Sequence, residues 1–166
     1  MRIGDICTRN VVICSPDTGI GEAARLMRDH HVGDLVVVIE EPDGRARPFG
    51  IITDRDIVIE VVAREVPLAD LTVRDVITEE LAFVNEDTGI QETLETMRQK
   101  GVRRMPVVND RYELVGIVAL DDLLELMAEE LDTMVKLVGR EHTREMRHRP
   151  PMTAPGVTVL FRGEAQ

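Results

Sequence analysis

The chain has 166 residues, enough for one compact domain or two small ones sharing a core. Its formal net charge of −11 disfavours DNA and anionic membranes as main partners, so any phosphate site needs its own basic groups. Hydrophobic residues at 43% exclude wholesale disorder, while aromatics at 2% exclude the stacking platforms that hold single-stranded nucleic acid and leave an aliphatic core.

The opening "MRIGDICTRN" is polar and has no apolar leader. The longest apolar run, "LVVVI" at Leu35–Ile39, suits a buried strand rather than a membrane span. The expectation is a soluble, cytoplasmic protein. Cys7 and Cys14 form neither a C-x-x-C pair nor a disulfide framework, and Cys14 reads as a small buried hydrophobe.

Taken in order, the first elements are a short apolar strand, "VVIC", and a helix from about Gly19. Glu22 stands three residues on, as in a capping box with glycine in the cap slot. Ile20, Ala23, Ala24 and Met27 recur at helical spacing. Two strands follow, "LVVVI" and "FGIIT", and then a helix, "DRDIVIEVVARE". The same order then returns: "LAFV", a helix from Gly89 with Glu92, the strands "MPVVN" and "LVGIV" joined by "NDRY", and a helix from Leu120.

The second half is a copy of the first. A shift of 70 positions lays residues 3–38 on 73–108, with "DICT" on "DVIT" and "PDTGIGEAARLMR" on "EDTGIQETLETMR". Beyond that the shift is 66 and "GIITDRDI" at Gly50 meets "GIVALDDL" at Gly116, so the first copy carries four extra residues. They are expected in the turn-rich "EEPDGRARP", where a surface connection tolerates insertion. Each copy lies near the lower size limit for a lone core, so the two are expected to pack together.

The strand-to-helix turn "ITDRD" carries the most chemistry. A helix start exposes unpaired N–H groups and a positive dipole end, which anions favour. The Asp56 carboxylate only accepts hydrogen bonds, so it suits a ligand with two neighbouring hydroxyls, such as a ribose. Thr53 donates or accepts, and Arg55 neutralises a phosphate. Read by themselves, Thr53 and Asp56 are equally an ordinary helix cap. Arg103 and Arg104 adjoin a second-copy strand and serve either a phosphate or a weak surface ion pair.

The opening "D-[IV]-[CI]-T", the "M-P-V-V" strand and the paired "G-I-[IV]-x-x-x-D-[IL]" turns resemble the CBS domain (cystathionine β-synthase domain). The pair resembles a stand-alone Bateman module over residues 1 to about 130. That resemblance implies an α/β (α+β) fold of two β-α-β-β-α motifs packed sheet to sheet about a pseudo-two-fold axis, with two clefts between them. It implies CBS motif 1 at 1–69, CBS motif 2 at 70–130, a helical extension with a basic end at 131–149 and a proline-containing tail at 150–166.

It further implies a regulatory, non-catalytic module. The ligand is of the AMP, ADP or ATP type, with S-adenosylmethionine or NAD as neighbours, and the signal goes to an unknown partner protein. Thr8, Thr53, Arg55 and Asp56 are expected in the main nucleotide site, and Thr78, Arg103, Arg104 and Asp122 in a weaker second cleft. Ala119 replaces Thr53 there, deleting a hydroxyl, and Asp121 replaces Arg55, which disfavours phosphate. Leu35-Val36 stands where the second copy has Met105-Pro106, a departure from the family pattern in the first strand.

No G-x-x-x-x-G-K-[ST], G-x-S-x-G or H-E-x-x-H motif accompanies these residues, and His30 and His31 read as a helix end rather than metal ligands. From Leu120 an apolar stripe runs through Leu123, Leu124, Met127, Leu131, Met134, Val135 and Val138. It calls for a partner surface, for which a homodimer is the favoured reading and intramolecular packing the alternative. A ligand-independent interaction module is the competing function. The basic stretch "GREHTREMRHRP" reads as a solvated helix end or an anion- or partner-docking tail.

Overall fold

The computed structural model describes residues 1–77 and 80–148. Thr78, Arg149 and the tail at 150–166 therefore lie outside the described residues. Residues Met1–Leu124 form one compact unit, and the described residues from Glu125 on belong to a second.

Within the first unit the duplication is visible bond by bond. The first copy has β1 (Ile13–Cys14), α2 (Ile20–His30), β2 (Asp34–Glu40), β3 (Ala46–Thr53) and α3 (Asp54–Asp56), which runs into a π-helical turn, Ile57–Val62. The second has β4 (Val84–Asn85), α5 (Ile90–Lys100), β5 (Arg104–Val108), β6 (Leu114–Ala119) and the start of α6 (Leu120–His148). Two four-residue helices, α1 (Ile3–Ile6) and α4 (Val73–Val76), precede the copies. Each sheet has three strands in sequence order, the first pair parallel and the second antiparallel.

The periodicity explains what is buried. Ile20, Ala23 and Met27 of α2 face Leu35, Val37 and Ile52. Met97 of α5 faces Met105, Val107 and Val118. Val36 and Val38 point to the opposite face of β2 and are buried as well, so this strand is covered on both sides and reads as an unbroken apolar run. β3 and β6 of the two sheets touch.

The short leading helices are exchanged. Ile3 of α1 is fully buried in the second copy's core, whereas Val73 and Val76 of α4 close the first. The tethering bonds repeat at the same shift: Ile3 and Gly4 donate to the carbonyls of Thr88 and Glu86, and Val73 and Arg74 donate to those of Thr18 and Pro16, all at 2.8–2.9 Å. The N-terminus of α2 is met in the same way, its Ile20 N–H donating to the Leu71 carbonyl. Gly19 makes no side-chain cap bond, so the box expected with Glu22 does not form.

The exchanged segments explain the repeated glycines. A Cβ on Gly50 would lie 2.8 Å from Ile77 Cδ1, and one on Gly116 would lie 2.7 Å from Cys7 Sγ and 2.9 Å from the Thr8 carbonyl oxygen. Beside each glycine the strand register slips, between Val37 and Val38 and between Val107 and Val108. Phe49 and Val115 are the residues left over at these bulges.

The four extra residues of the first copy do not enlarge its turn, contrary to expectation. Both hairpins close with the same bonds, Glu41 N–H to Arg45 carbonyl and Asn109 N–H to Glu113 carbonyl. Instead β2 has seven residues against five in β5, and β3 has eight against six in β6. An insertion of two residues per strand preserves the side-chain alternation, so it lengthens the hairpin without reversing a face.

Substitution of the two glycines separates rigid from yielding neighbours. Gly116→Ala meets a backbone oxygen and is expected to destabilise by about 1–3 kcal/mol, whereas Gly50→Ala meets the movable end of Ile77 and is expected to cost less. Denaturant titration of both variants checks the order. Equal midpoints would contradict it.

Candidate functional site

Thr53 is the last residue of β3 and the N-cap of α3, with extended backbone. Its hydroxyl and its N–H both donate to Asp56 Oδ2 at 2.8 Å, and the Asp56 N–H donates back to Thr53 Oγ1 at 3.2 Å. The capping interpretation of this pair is thus real. It also fixes the half-buried Asp56 carboxylate by one oxygen and leaves Oδ1 available. The Asp54 N–H donates to the Gly33 carbonyl at 2.9 Å, binding the turn to the start of β2. Arg55 is exposed, and its guanidinium has no ion-pair partner among the described residues.

The second turn has the same backbone and different chemistry. Leu120 N–H donates to the Arg103 carbonyl at 2.8 Å, the counterpart of the Asp54–Gly33 bond. Ala119 offers no hydroxyl, and the exposed Asp122 carboxylate has no hydrogen-bond partner among the described residues. Arg103 pairs with Asp121 at 3.2 Å, so an acid next to the turn already occupies that cation.

Thr8 is held on the second copy's hairpin. It was expected with Thr53, Arg55 and Asp56, but its N–H and carbonyl both bond to Ile117 of β6 at 2.9 Å. The cause is the exchange: α1 buries Ile3 in the second core, which carries the following residues onto the second copy's hairpin. Thr8 therefore lies beside β6, the strand that ends in Ala119. By the same symmetry Ile77 lies over Gly50 of β3. Thr78, the next residue, lies outside the described residues.

Arg104 is also better placed than expected. Its Nε lies 3.1 Å from Asp34 Oδ1. These two residues are counterparts under the 70-residue shift, so the duplication pairs with itself through an acid in one copy and a base in the other. Asp34 is the register partner of Thr53, and Arg104 is that of Ala119. The ion pair thus lies between the two turns. Burial pushes the Asp34 carboxyl above its usual value; Arg104 opposes the shift and Asp54 adds to it.

Among the described residues no group of His, Cys, Asp or Glu is arranged to hold a metal. His31 takes the left-handed position after α2 (φ 55°), where the second copy uses Gly101 (φ 68°). Burial, aided by Glu22, pushes the Cys14 thiol up to about 11, so it stays protonated as a small hydrophobe. No helix of the described residues is long and apolar enough to cross a membrane. That Asp34 stands where the second copy has Arg104 is visible in the sequence; that the two pair with each other is not.

Two like units, exchanged at their leading helices and each ending a hairpin on a polar strand-to-helix turn, define a tandem α/β pair. A model of the CBS domain matches residues 3–63 and again 73–129, and the chain belongs to the CBS-domain family. It is 36% identical over 126 residues to the uncharacterised protein MK0525 of Methanopyrus kandleri, a match covering 76% of this chain but only 62% of that protein. It is 37% identical over 121 residues to the CBS domain-containing protein YhcV of Bacillus subtilis, covering 73% of this chain and 81% of the relative. The crystal structure of the CBS domain pair of protein MJ0100, in complex with 5′-methylthioadenosine and S-adenosyl-L-methionine, superposes with a TM-score of 0.67 at 25% identity, covering 78% of this chain and 98% of that one.

The raised Asp34 pKa has a definite consequence for stability. The folded chain holds this proton more firmly than the unfolded chain does, so the contribution is present at low pH and is lost as pH rises through the folded value. Asp34→Asn is expected to remove that loss and flatten the stability curve just above the usual aspartate range. Denaturant titrations at stepped pH measure it. Parallel curves for wild type and variant would assign the slope to other groups.

Proposed function

We propose that this CBS pair is a regulatory module that takes an adenosyl ligand at the first turn and passes the signal to a partner protein. The observation that carries the proposal is the Thr53–Asp56 pair, a carboxylate oriented by its cap with one oxygen left for a ribose hydroxyl. The unpaired Arg55 beside it suits a phosphate, which favours AMP, ADP or ATP over ligands without one. S-adenosylmethionine and NAD are the neighbouring candidates. The methylthioadenosine and S-adenosyl-L-methionine held by the MJ0100 pair support the adenosyl class.

The second turn, with Ala119, Asp122 and Thr8, is the weaker site and prefers a less charged ligand. Arg104, register partner of Ala119, is held by Asp34, register partner of Thr53, so a ligand phosphate would compete with Asp34 for this cation. A phosphate that draws Arg104 from Asp34 breaks a contact between the copies, and that supplies a route from occupancy to a change of shape. Couplings of this kind are typically about 1–3 kcal/mol.

A specific observation also supports an assembly role. Leu131, Met134, Val135, Leu137 and Val138 of α6 are all more than 60% exposed. An apolar helix face of this length suits a homodimer contact or the regulated protein itself. In the ligand-independent reading, this face would carry the whole function.

A thermal-shift panel with AMP, ADP, ATP, S-adenosylmethionine and NAD tests the sensor. Ligand at about 100 times its Kd stabilises by about 2.7 kcal/mol, a rise of several degrees. Asp56→Ala is expected to weaken the best ligand by roughly 10- to 150-fold, the equivalent of about 1.5–3 kcal/mol. No shift with any of the five would favour the assembly module. Leu131→Asp is expected to lower the solution mass from dimer to monomer in light scattering; a wild-type chain that is already monomeric at micromolar concentration would reject the dimer.

A further inference from the structure

A cavity of about 810 Å³ opens at the hairpin ends of the first unit, and none of Thr8, Thr53, Arg55, Asp56, Arg103, Arg104 and Asp122 lines it. Its volume lies within the range of small-molecule sites, roughly 300–1,000 Å³. The chain has three phenylalanines, one tyrosine and no tryptophan, and Phe49, Phe83 and Tyr112 all line this one space. Phe83 and Tyr112 meet edge to face with centroids 5.8 Å apart, and both are exposed to the cavity side of the surface at 43% and 59%. Apolar rings left exposed in a concavity mark a binding site more than a core.

Charge is gathered there too. In a chain of net charge −11, Arg45, Arg47 and Arg111 stand around the same opening. Arg45 is paired with Asp43 at 2.6 Å and Arg47 with Glu41 at 3.6 Å. The Arg111 guanidinium has no partner among the described residues, so one cation is left to meet a ligand. Glu41 and Glu80 also line the opening, so three arginines stand against two glutamates and the excess suits a ligand with one anionic group.

The backbone supports a role for Tyr112 beyond closing a turn. It occupies the left-handed region at φ 59°, where a large side chain is disfavoured. The same position of the first hairpin holds Gly44 at φ 82°, with the matching bond from Gly44 N–H to Glu41 carbonyl and from Tyr112 N–H to Asn109 carbonyl. Glycine meets the demand of this turn without strain. The wall opposite is the lengthened first hairpin, which carries Arg45, Arg47 and Phe49. The second copy's strands are each two residues shorter, so the wall that carries Arg45 and Arg47 is particular to the first copy.

We propose that this cavity binds a small organic anion with a flat apolar body and one acidic group, the body against Phe49, Phe83 and Tyr112 and the acid at Arg111. It is a further ligand site, separate from the two adenosyl turns.

The test is a fluorescence titration of the full chain with anilinonaphthalene sulfonate, with the uncharged phenylnaphthylamine as its control. Saturable binding of one sulfonate per chain is expected, weakened about tenfold or more by Arg111→Glu and by Tyr112→Gly. The glycine variant relieves the turn, so its melting temperature should rise while its affinity falls, which separates lost binding from lost folding. Asp56→Ala should leave the sulfonate affinity unchanged. The proposal is overturned by wild-type binding that does not saturate, by equal affinity in both cavity variants, or by loss of binding in Leu131→Asp while the cavity variants still bind. An uncharged probe that binds as tightly as the sulfonate would remove the acidic group from the proposal.

Discussion

Everything in the first unit depends on the exchange of the short leading helices. Neither copy encloses its own core. The first lacks cover until Val73 and Val76 arrive from the segment that leads into the second, and the second is closed by Ile3 from the start of the chain. A unit of 60–70 residues buries too little surface to be robust alone, so trading a lid for a lid makes the two halves one folding problem. The cost is a close approach to the hairpin, of the Thr8 backbone at Gly116 and of the Ile77 side chain at Gly50. The glycine that opens each "G-I" motif thus makes room for the exchanged segment, strictly at Gly116 and less so at Gly50, while the residues after it are free to carry chemistry.

The pseudo-symmetry is broken where the copies meet. A perfect repeat would set like charges against each other at Asp34 and Arg104, and like charges that close repel. Divergence to an acid and a base converts the contact into an attraction. The pair is not a large source of stability, because Arg104 remains 41% exposed and screening weakens such contacts. Its value lies in position. It stands between a turn with a hydroxyl and a turn without one, and it is the kind of contact that an incoming anion can exchange for itself.

The repeat, the element order and the strand-to-helix turns were legible in the sequence because each depends on local spacing. Ile20, Ala23 and Met27 mark a helix face regardless of what covers it, and Thr53 with Asp56 marks a cap regardless of what binds there. The partner of Thr8 was not legible. Local pattern places it at the head of its own copy, and only the long-range burial of Ile3 carries it to Ile117. The extra residues of the first hairpin misled for a similar reason: "EEPDGRARP" has turn composition, but a pair of added residues in each strand keeps both faces in register and leaves the five-residue turn intact. The arginine-rimmed cavity was hidden because its walls come from three separated segments, each unremarkable alone.

The two turns show how a duplicated scaffold separates its structural duties from its chemical ones. Asp54 N–H to Gly33 and Leu120 N–H to Arg103 are the same bond, so both turns keep the geometry that docks the helix start on its sheet. That bond uses only backbone atoms, and any side chain is compatible with it. Thr53 can therefore become Ala119 without loss of the fold, and Arg55 can become Asp121. In the first copy the cap constrains Asp56; in the second, Asp122 is released from any cap and is free to rotate toward solvent or a ligand. Orientation that is already fixed reduces the ordering cost of binding, whereas a free carboxylate incurs it on binding. The same backbone thus carries one turn with a preoriented carboxylate and one with a free carboxylate, so duplication preserves the fold while letting the chemistry of its two halves diverge.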